Sequence, residues 1–320
     1  MNKRLPHLPD DQSLATGLSS ALAGAECVPV TVVDRMVNPN ASTFPSEVVT
    51  CRLGDGTQVR LLCKYGGHDH PAYGHRGGVG YEAEVYRRVL AAAALPVPRF
   101  YGAAAAGPAG NALLAIEYLE YPLRLNDTRD LIAWEQAAVW SGHFHARHEV
   151  RSRDPALSFL IDYDAEYYAG WPRRTAEHAA TLHPEFPWLA DLCRRSETAL
   201  LGLLEAPPTV IHGEYYPKNI LLKEGNVYPV DWESAAHGCG EIDMATLTDH
   251  CEPDVVIRCE AAYRRARWPN GVPTGFTRTL ELARLYVHFR WLGAPPGPKS
   301  RRRVWRYEEV QKLGQRIGLI

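Results

Sequence analysis

Apolar positions along the chain switch between a period of two and a period near 3.6, and the switches mark the expected elements. Asp10 and Asp11 precede an amphipathic run, Leu14–Ala23, which predicts a capped helix. Three strand-like segments follow, Val28–Val33, Glu47–Leu53 and Thr57–Tyr65, the last two joined by a Gly54-Asp55-Gly56 hairpin turn. A helical pattern over Tyr81–Ala93 stops before Pro96-Val97-Pro98. Leu113–Ile116 reads as an apolar strand running into Glu117-Tyr118-Leu119, and Asp127 and Thr128 offer caps for a long helix to about His148. Residues 153–205 read as helical. A further hairpin is expected from Ile220–Leu222, a turn at Lys223–Asn226 and Val227–Val230, with Gly225 and Asn226 supplying the turn chemistry. Helices around Thr277–Leu292 and Arg303–Ile317 close the chain. Strands first and helices later predict an α+β fold. No internal repeat or low-complexity linker breaks the pattern.

Composition narrows the class. With 320 residues, 46% hydrophobic and 22% charged, the chain has ample material for a core. A formal net charge of −2 gives no global basic field for nucleic acid or membrane. The run Lys299–Arg306, KSRRRVWR, is the local exception, read as a solvated surface segment or as a contact for phosphate or an acidic partner. Seven scattered cysteines with no C-x-x-C pair argue against a disulfide framework and a zinc site, and point to buried free thiols in a reducing, cytoplasmic setting. Residues 1–12 contain no apolar stretch of signal-peptide type, and no apolar run approaches the ~20 residues of a membrane span.

Candidate chemistry concentrates in Thr209–Ala235, TVIHGEYYPKNILLKEGNVYPVDWESA. The expected hairpin would hold Glu214, Asn219 and Asp231 close together. Oxygen ligands from Asn219 and Asp231 suit a hard divalent cation, above all Mg²⁺ bound to phosphates.

This order of parts resembles the catalytic core of the aminoglycoside phosphotransferase and choline-kinase-like family, distant relatives of the protein kinases. The family's loop reads H-G-D with an Asn five positions after the Asp; here His212, Gly213, Glu214 and Asn219 stand in those places. Asp231-Trp232-Glu233 matches the family's metal-binding segment, Pro217 matches a frequent proline, and Asp243 in GEIDMATL matches an Asp that braces the loop. The resemblance implies a bilobal protein-kinase-like fold. Residues 1–118 would form a small nucleotide-binding lobe with an antiparallel sheet, and 119–320 a larger, mostly helical catalytic and substrate-binding lobe. It also implies in-line transfer of the γ-phosphoryl of ATP, or another nucleoside triphosphate, to a hydroxyl of a small molecule. Glu214 would accept the hydroxyl proton or orient the nucleophile, Asn219 and Asp231 would hold Mg²⁺, and His212 would brace the loop. Lys64 would contact the phosphates and Glu82, preferred to Glu84, would orient Lys64. The loop Asn38–Ser46 lies where the family covers the phosphates; it lacks a G-x-G-x-x-G, but Ser42 and Thr43 hydroxyls and backbone amides would serve. Backbone groups of Glu117-Tyr118-Leu119 would bond adenine.

Glu214 is the departure from the family, a carboxylate on an arm one methylene longer. It supports the alternative of a catalytically weak or inactive nucleotide-binding pseudokinase. Tyr216 stands where protein kinases place a phosphate-contacting lysine, which favours a small-molecule acceptor. Other features have bland readings beside functional ones. The GGHDHPAYGHRGGVG segment with His68, His70 and His75 reads as a glycine-rich lid rather than a metal site. His143, His145 and His148 read as packing or surface residues. Asp162, Tyr163, Asp164, Glu166, Tyr167, Tyr168 and Trp171 read either as an acidic, aromatic substrate wall or as an ordinary helix face.

Overall fold

The computed structural model describes residues 8–22, 29–39, 44–66, 77–106, 111–149, 154–180, 184–295 and 304–320. The chain divides into two compact units. Met1–Leu123 and Leu221–Ser234 form the first, Arg124–Ile220 and Ala235–Ile320 the second.

The first unit is built on an antiparallel five-stranded sheet. Its strands are β1 (Val30–Val37), β2 (Ser46–Leu53), β3 (Gln58–Gly66), β4 (Phe100–Ala106) and β5 (Asn111–Glu117), in the spatial order β1-β2-β3-β5-β4. Helix α1 (Asp11–Leu22) starts where the Asp10 carboxylate accepts the Ser13 amide at 2.7 Å, a side-chain cap for an otherwise orphan donor. Its Leu14 and Leu18, one turn apart, are fully buried against Val49, Cys51, Leu61, Cys63 and Leu113. Strand β4 was not anticipated, because Gly102–Ala106 carries none of the β-branched residues that signal strands. Gly102 answers a steric demand there: its φ is +152°, and a Cβ would lie 1.9 Å from the Ala21 carbonyl oxygen of α1. Helix α2 spans Gly78–Arg88.

Alternation along β3 decides where Lys64 goes. Leu61, Cys63 and Tyr65 face the core shared with α1, so Lys64 belongs to the opposite face. The first unit also holds most of a three-stranded sheet of order β10-β9-β6, with β6 at Leu123–Arg124, β9 at Ile220–Lys223 and β10 at Asn226–Pro229. The β9–β10 turn uses two left-handed residues, Glu224 (φ 51°) and Gly225 (φ 76°), at the centre of the expected turn Lys223–Asn226.

The second unit is mostly helical: α3 (Leu131–Glu149), α4 (Ala165–His178), α5 (Leu189–Ala199), α6 (Glu241–Leu247), α7 (Pro253–Arg267), α8 (Phe276–Leu292) and α9 (Val304–Arg316). A small sheet joins them, β7 (Ile161–Asp162), β8 (Pro208–Ile211) and β11 (Ala236–Cys239), in the order β7-β11-β8. Helix α3 is capped by Asp130, whose carboxylate accepts the Ile132 amide at 2.9 Å, three residues later than the expected Asp127. An antiparallel five-stranded sheet early in the chain and a mostly helical second unit make the fold α+β, as the periodicity indicated.

Two surface expectations change. Arg306, read as part of a basic surface run, is buried. Its guanidinium donates to Asp249 at 2.7 Å and to His288 Nδ1 at 2.8 Å, and lies over the Trp305 ring. Asp162, Asp164 and Glu166 do not line a wall with the tyrosines. Asp162 meets His237 at 3.0 Å, Asp164 caps α4 through the Tyr167 amide, and Glu166 pairs with Arg173. Tyr163 stacks on Tyr167 at 3.8 Å between centroids, and Tyr163, Tyr168, Trp171 and Tyr286 are packed core. The six described cysteines are all free thiols, five of them buried.

His288 gives the stability a pH dependence. Burial is the main cause that pushes its pKa down to about 4; Asp249 opposes, while Arg306 adds to the depression. The unfolded chain then binds a proton below about pH 6.5 that the folded chain refuses until near pH 4. This contribution is therefore complete above pH 6.5 and lost as pH falls through that window, at up to about 1.4 kcal/mol per pH unit. Urea unfolding of wild type and His288→Gln between pH 7.5 and 5 should show the variant with the shallower slope, since its amide oxygen accepts from Arg306 without titrating. Parallel slopes would mean that another group governs acid unfolding.

Candidate active site

In the first unit, Lys64 is held between two carboxylates. Its Nζ lies 2.7 Å from Glu82 Oε2 and 2.5 Å from Asp231 Oδ1. Glu82 comes from α2 and is buried, and its second oxygen accepts the Trp232 amide at 3.1 Å, tying the helix to the segment after β10. Glu84, the other candidate on α2, pairs outward with Arg87 and Arg88. Burial works against the Lys64 ammonium, but Glu82, Asp231 and Glu233 outweigh it, and its pKa stands above the ordinary lysine value. Lys64 is therefore a cation at any physiological pH.

Asp231 sits at φ 71°, a left-handed conformation that costs a non-glycine residue roughly 1–3 kcal/mol. Its carboxylate and that of Glu233, two residues on, have oxygens within 4.8 Å of one another. Two hard oxygen donors at that spacing fit a divalent cation of the Mg²⁺ type. Glu233 is a site candidate to which the sequence reading gave no role of its own, although it quoted the Asp231-Trp232-Glu233 triplet.

In the second unit, β8 delivers His212, and Gly213 at φ 76° turns the chain where a side chain would be strained. Asp243, at the start of α6, accepts the His212 amide at 2.7 Å and the Gly213 amide at 2.9 Å, which is the brace expected of it. His212 Nδ1 accepts the Glu214 amide at 3.3 Å. Asn219, ending the short turn Pro217–Asn219, donates to the Glu214 carbonyl at 3.1 Å, so Asn219 and Glu214 share one loop clamp.

Arg290 of α8 is the residue that sequence reasoning missed. Its guanidinium donates to the Gly213 carbonyl at 2.9 Å, the Tyr216 hydroxyl at 2.8 Å and Glu214 Oε1 at 3.3 Å. Glu214 and Arg290 are only 4% and 5% exposed. Burial opposes the Arg290 charge, while Tyr216 and Glu214 favour it, with a net upward shift. The available signal was a single arginine inside the mostly apolar and aromatic run Leu285–Leu292, a position that demands a partner. Replacing Arg290 with Met removes its charge and its bonds to the buried Glu214 carboxylate, the Gly213 carbonyl and the Tyr216 hydroxyl. Breaking a buried ion pair in this way typically costs about 3–5 kcal/mol. A loss of that size should appear in urea unfolding of Arg290→Met; a change below 1 kcal/mol would mean the pair behaves as a solvated surface contact.

Ser42 and Thr43 lie outside the described residues, as do His68, His70 and His75. Glu117 ends β5, where its amide donates to the Arg99 carbonyl at 2.8 Å and its carboxylate accepts the Arg99 amide at 3.1 Å. Leu119 is buried. Among the described residues no helix is long and apolar enough to cross a membrane.

Comparisons with known proteins bear on the fold and the family. A solved choline kinase from Cryptosporidium parvum superposes with a TM-score of 0.60 at 12% identity, covering 90% of this chain and 91% of its own. A spectinomycin phosphotransferase solved with ADP and spectinomycin gives 0.59 at 10% identity, covering 99% of this chain and 100% of its own. These likenesses establish the protein-kinase-like fold. An N-acetylmuramate/N-acetylglucosamine kinase of Pseudomonas aeruginosa is 23% identical over 196 residues, 58% of this chain; the chain spans about half, 48%, of the length of that curated relative. The model of the phosphotransferase enzyme family matches residues 68–274. With well over half of its residues inside that match, the chain belongs to the phosphotransferase enzyme family.

Proposed function

We propose that the protein is a kinase that transfers the γ-phosphoryl group of ATP to a hydroxyl of a small molecule. The observation that carries this reading is Lys64 held by both Glu82 and Asp231. In phosphoryl transfer of this kind a strand lysine oriented by a helix glutamate grips the phosphates, and a following Asp holds metal. Asn219 and Asp231 would ligate Mg²⁺, with Glu233 as a further donor; the ion, when bound, neutralises charge developing on the phosphates. Glu214 would accept or orient the acceptor hydroxyl, and Glu117 and Leu119 would offer backbone groups to the base. Ser42 and Thr43 keep their proposed place over the phosphates. The family match, and the ADP held by the spectinomycin phosphotransferase, support a nucleotide substrate.

The test is transfer from ATP labelled at its γ-phosphate, with Mg²⁺ and a panel containing N-acetylglucosamine, N-acetylmuramate, choline and spectinomycin. Label should move to at least one hydroxylated compound and stop when the metal is chelated. A second reading is a nucleotide-binding pseudokinase, favoured by the contact of the Glu214 carboxylate with buried Arg290. Tight ATP binding with no transfer, and no hydrolysis by water, would decide for that second reading.

A further inference from the structure

Tyr216, just past Glu214 in the loop, is 7% exposed, and its hydroxyl oxygen receives two hydrogen bonds. Arg290 Nη2 donates to it at 2.8 Å and Trp291 Nε1 at 2.5 Å. The same guanidinium nitrogen lies 3.3 Å from Glu214 Oε1, so phenol and carboxylate stand side by side. Cations gather around the pair. The Arg290 guanidinium and the Lys218 ammonium lie 5.5 Å and 5.7 Å from the Tyr216 ring centroid, and the Arg306 guanidinium lies 5.2 Å from that of Trp291. Arg290 is balanced by Glu214 and Arg306 by Asp249. Lys218 is exposed and has no carboxylate partner among the described residues.

Proton counting shows what the phenol has left to offer. A guanidinium and an indole N–H can only donate, so the Tyr216 oxygen spends its acceptor capacity on Arg290 and Trp291. Its own hydrogen has no acceptor among the described residues. That hydrogen stays in place at neutral pH. Burial is the main cause that holds the phenol above its ordinary pKa; Arg290 and Arg306 oppose it, while Asp249 and Glu214 reinforce it. A buried donor without a partner costs free energy, which an oxygen brought in by a ligand would relieve. An ammonium brings none. It is a donor only, and it would meet a spent oxygen beside the unbalanced Lys218.

We propose that Tyr216 determines which compounds the site accepts: its hydroxyl donates to an oxygen next to the ligand hydroxyl at Glu214, and so selects polyols bearing a carbonyl or carboxylate there over amines. The inference rests on the proposed meeting of Glu214 with the acceptor hydroxyl. Any compound that presents a hydroxyl to Glu214 brings the neighbouring substituent to Tyr216, because one Arg290 nitrogen serves both oxygens. Trp291 acts through Tyr216, since its indole occupies the lone pair that an amine would need. The acids that would have drawn a cation are engaged elsewhere, Asp162 with His237, Asp164 with the Tyr167 amide and Glu166 with Arg173.

The test is equilibrium titration of the full chain with Mg-ADP present, using two sets of probes. N-acetylglucosamine, N-acetylmuramate and glucuronate carry an oxygen acceptor beside a hydroxyl; glucosamine and choline carry a cation instead. At least one compound of the first set should bind the wild type about tenfold or more tighter than either amine, the scale of one hydrogen bond. Tyr216→Phe keeps the ring and loses the hydrogen, so binding of that compound should weaken about tenfold while the amines stay unchanged. Trp291→Phe returns a lone pair to Tyr216 and should narrow the preference through tighter binding of glucosamine, a gain that a merely structural role for the indole would not produce. If Tyr216→Phe does not fold, Trp291→Phe decides alone. Amines that bind as well as the first set, a first set that does not bind at all, or variants that weaken both sets alike would overturn the proposal. Transfer from labelled Mg-ATP, followed with the same compounds, keeps the two readings apart. Binding in the expected order without transfer defeats only the kinase reading, and transfer that prefers amines defeats only this one.

Discussion

Glu214→Gln is expected to lose phosphoryl transfer by about 10²–10⁴-fold, the usual effect of removing general acid–base help, with little change in ATP affinity. The amide keeps the shape of the side chain and can still meet Arg290 through its oxygen, so the fold should persist. Steady-state transfer and nucleotide titration on the same preparation separate the two effects. Glu214→Asp is the sharper comparison because it restores the usual family residue. Its carboxylate would fall short of Arg290 by about 1.5 Å, one carbon–carbon bond. The guanidinium now gathers Gly213, Tyr216 and Glu214 together, so the loop is built around the longer arm. A slower Asp enzyme is therefore expected. An Asp enzyme that outpaces wild type would mark Glu214 as a damping substitution, and full activity in Gln would remove Glu214 from the chemistry.

The second large effect is expected at Asp231. Asp231→Asn suits the left-handed φ of 71°, because Asn tolerates that region better than most residues. Backbone strain therefore stays nearly constant while the charge disappears. Lys64 keeps its Glu82 partner, so thermal unfolding should move little. Transfer should fall by ~10³-fold or more, in line with the several kcal/mol that a catalytic metal ion contributes. Turnover equal to wild type at saturating Mg²⁺ would take the metal role from Asp231 and leave it only as a partner of Lys64.

The residues that these predictions address differ in how far the sequence alone could find them. Local chemistry determined the β9–β10 hairpin, the α+β order of elements and the spacing of His212, Glu214, Asn219 and Asp231. Turns and periodicity act over a few residues, so they are readable along the chain. The preference for Glu82 over Glu84 was also a sequence reading, and the structure joins Glu82 to Lys64. Strand β4 escaped because its alanines carry no strand signal, and its place is decided by pairing with β5 and by Gly102 against α1.

Only the tertiary structure decided which distant charges meet. Arg290 and Glu214 are 76 residues apart, Lys64 and Asp231 are 167 apart, and His145 reaches Asp243 across 98. Nothing in the spacing of such residues encodes their contact. It follows from the sheet order β1-β2-β3-β5-β4, from Leu221–Ser234 joining the first unit, and from helices that bury one face each. The acids at 162, 164 and 166 illustrate the same limit, since the sequence left a substrate wall and an ordinary helix face equally open, while the structure gives each acid its own partner. The physical reason is the cost of leaving charge unpaired in a core. A buried Arg, Lys or His must find its counter-group wherever packing brings one, and packing is a property of the whole chain.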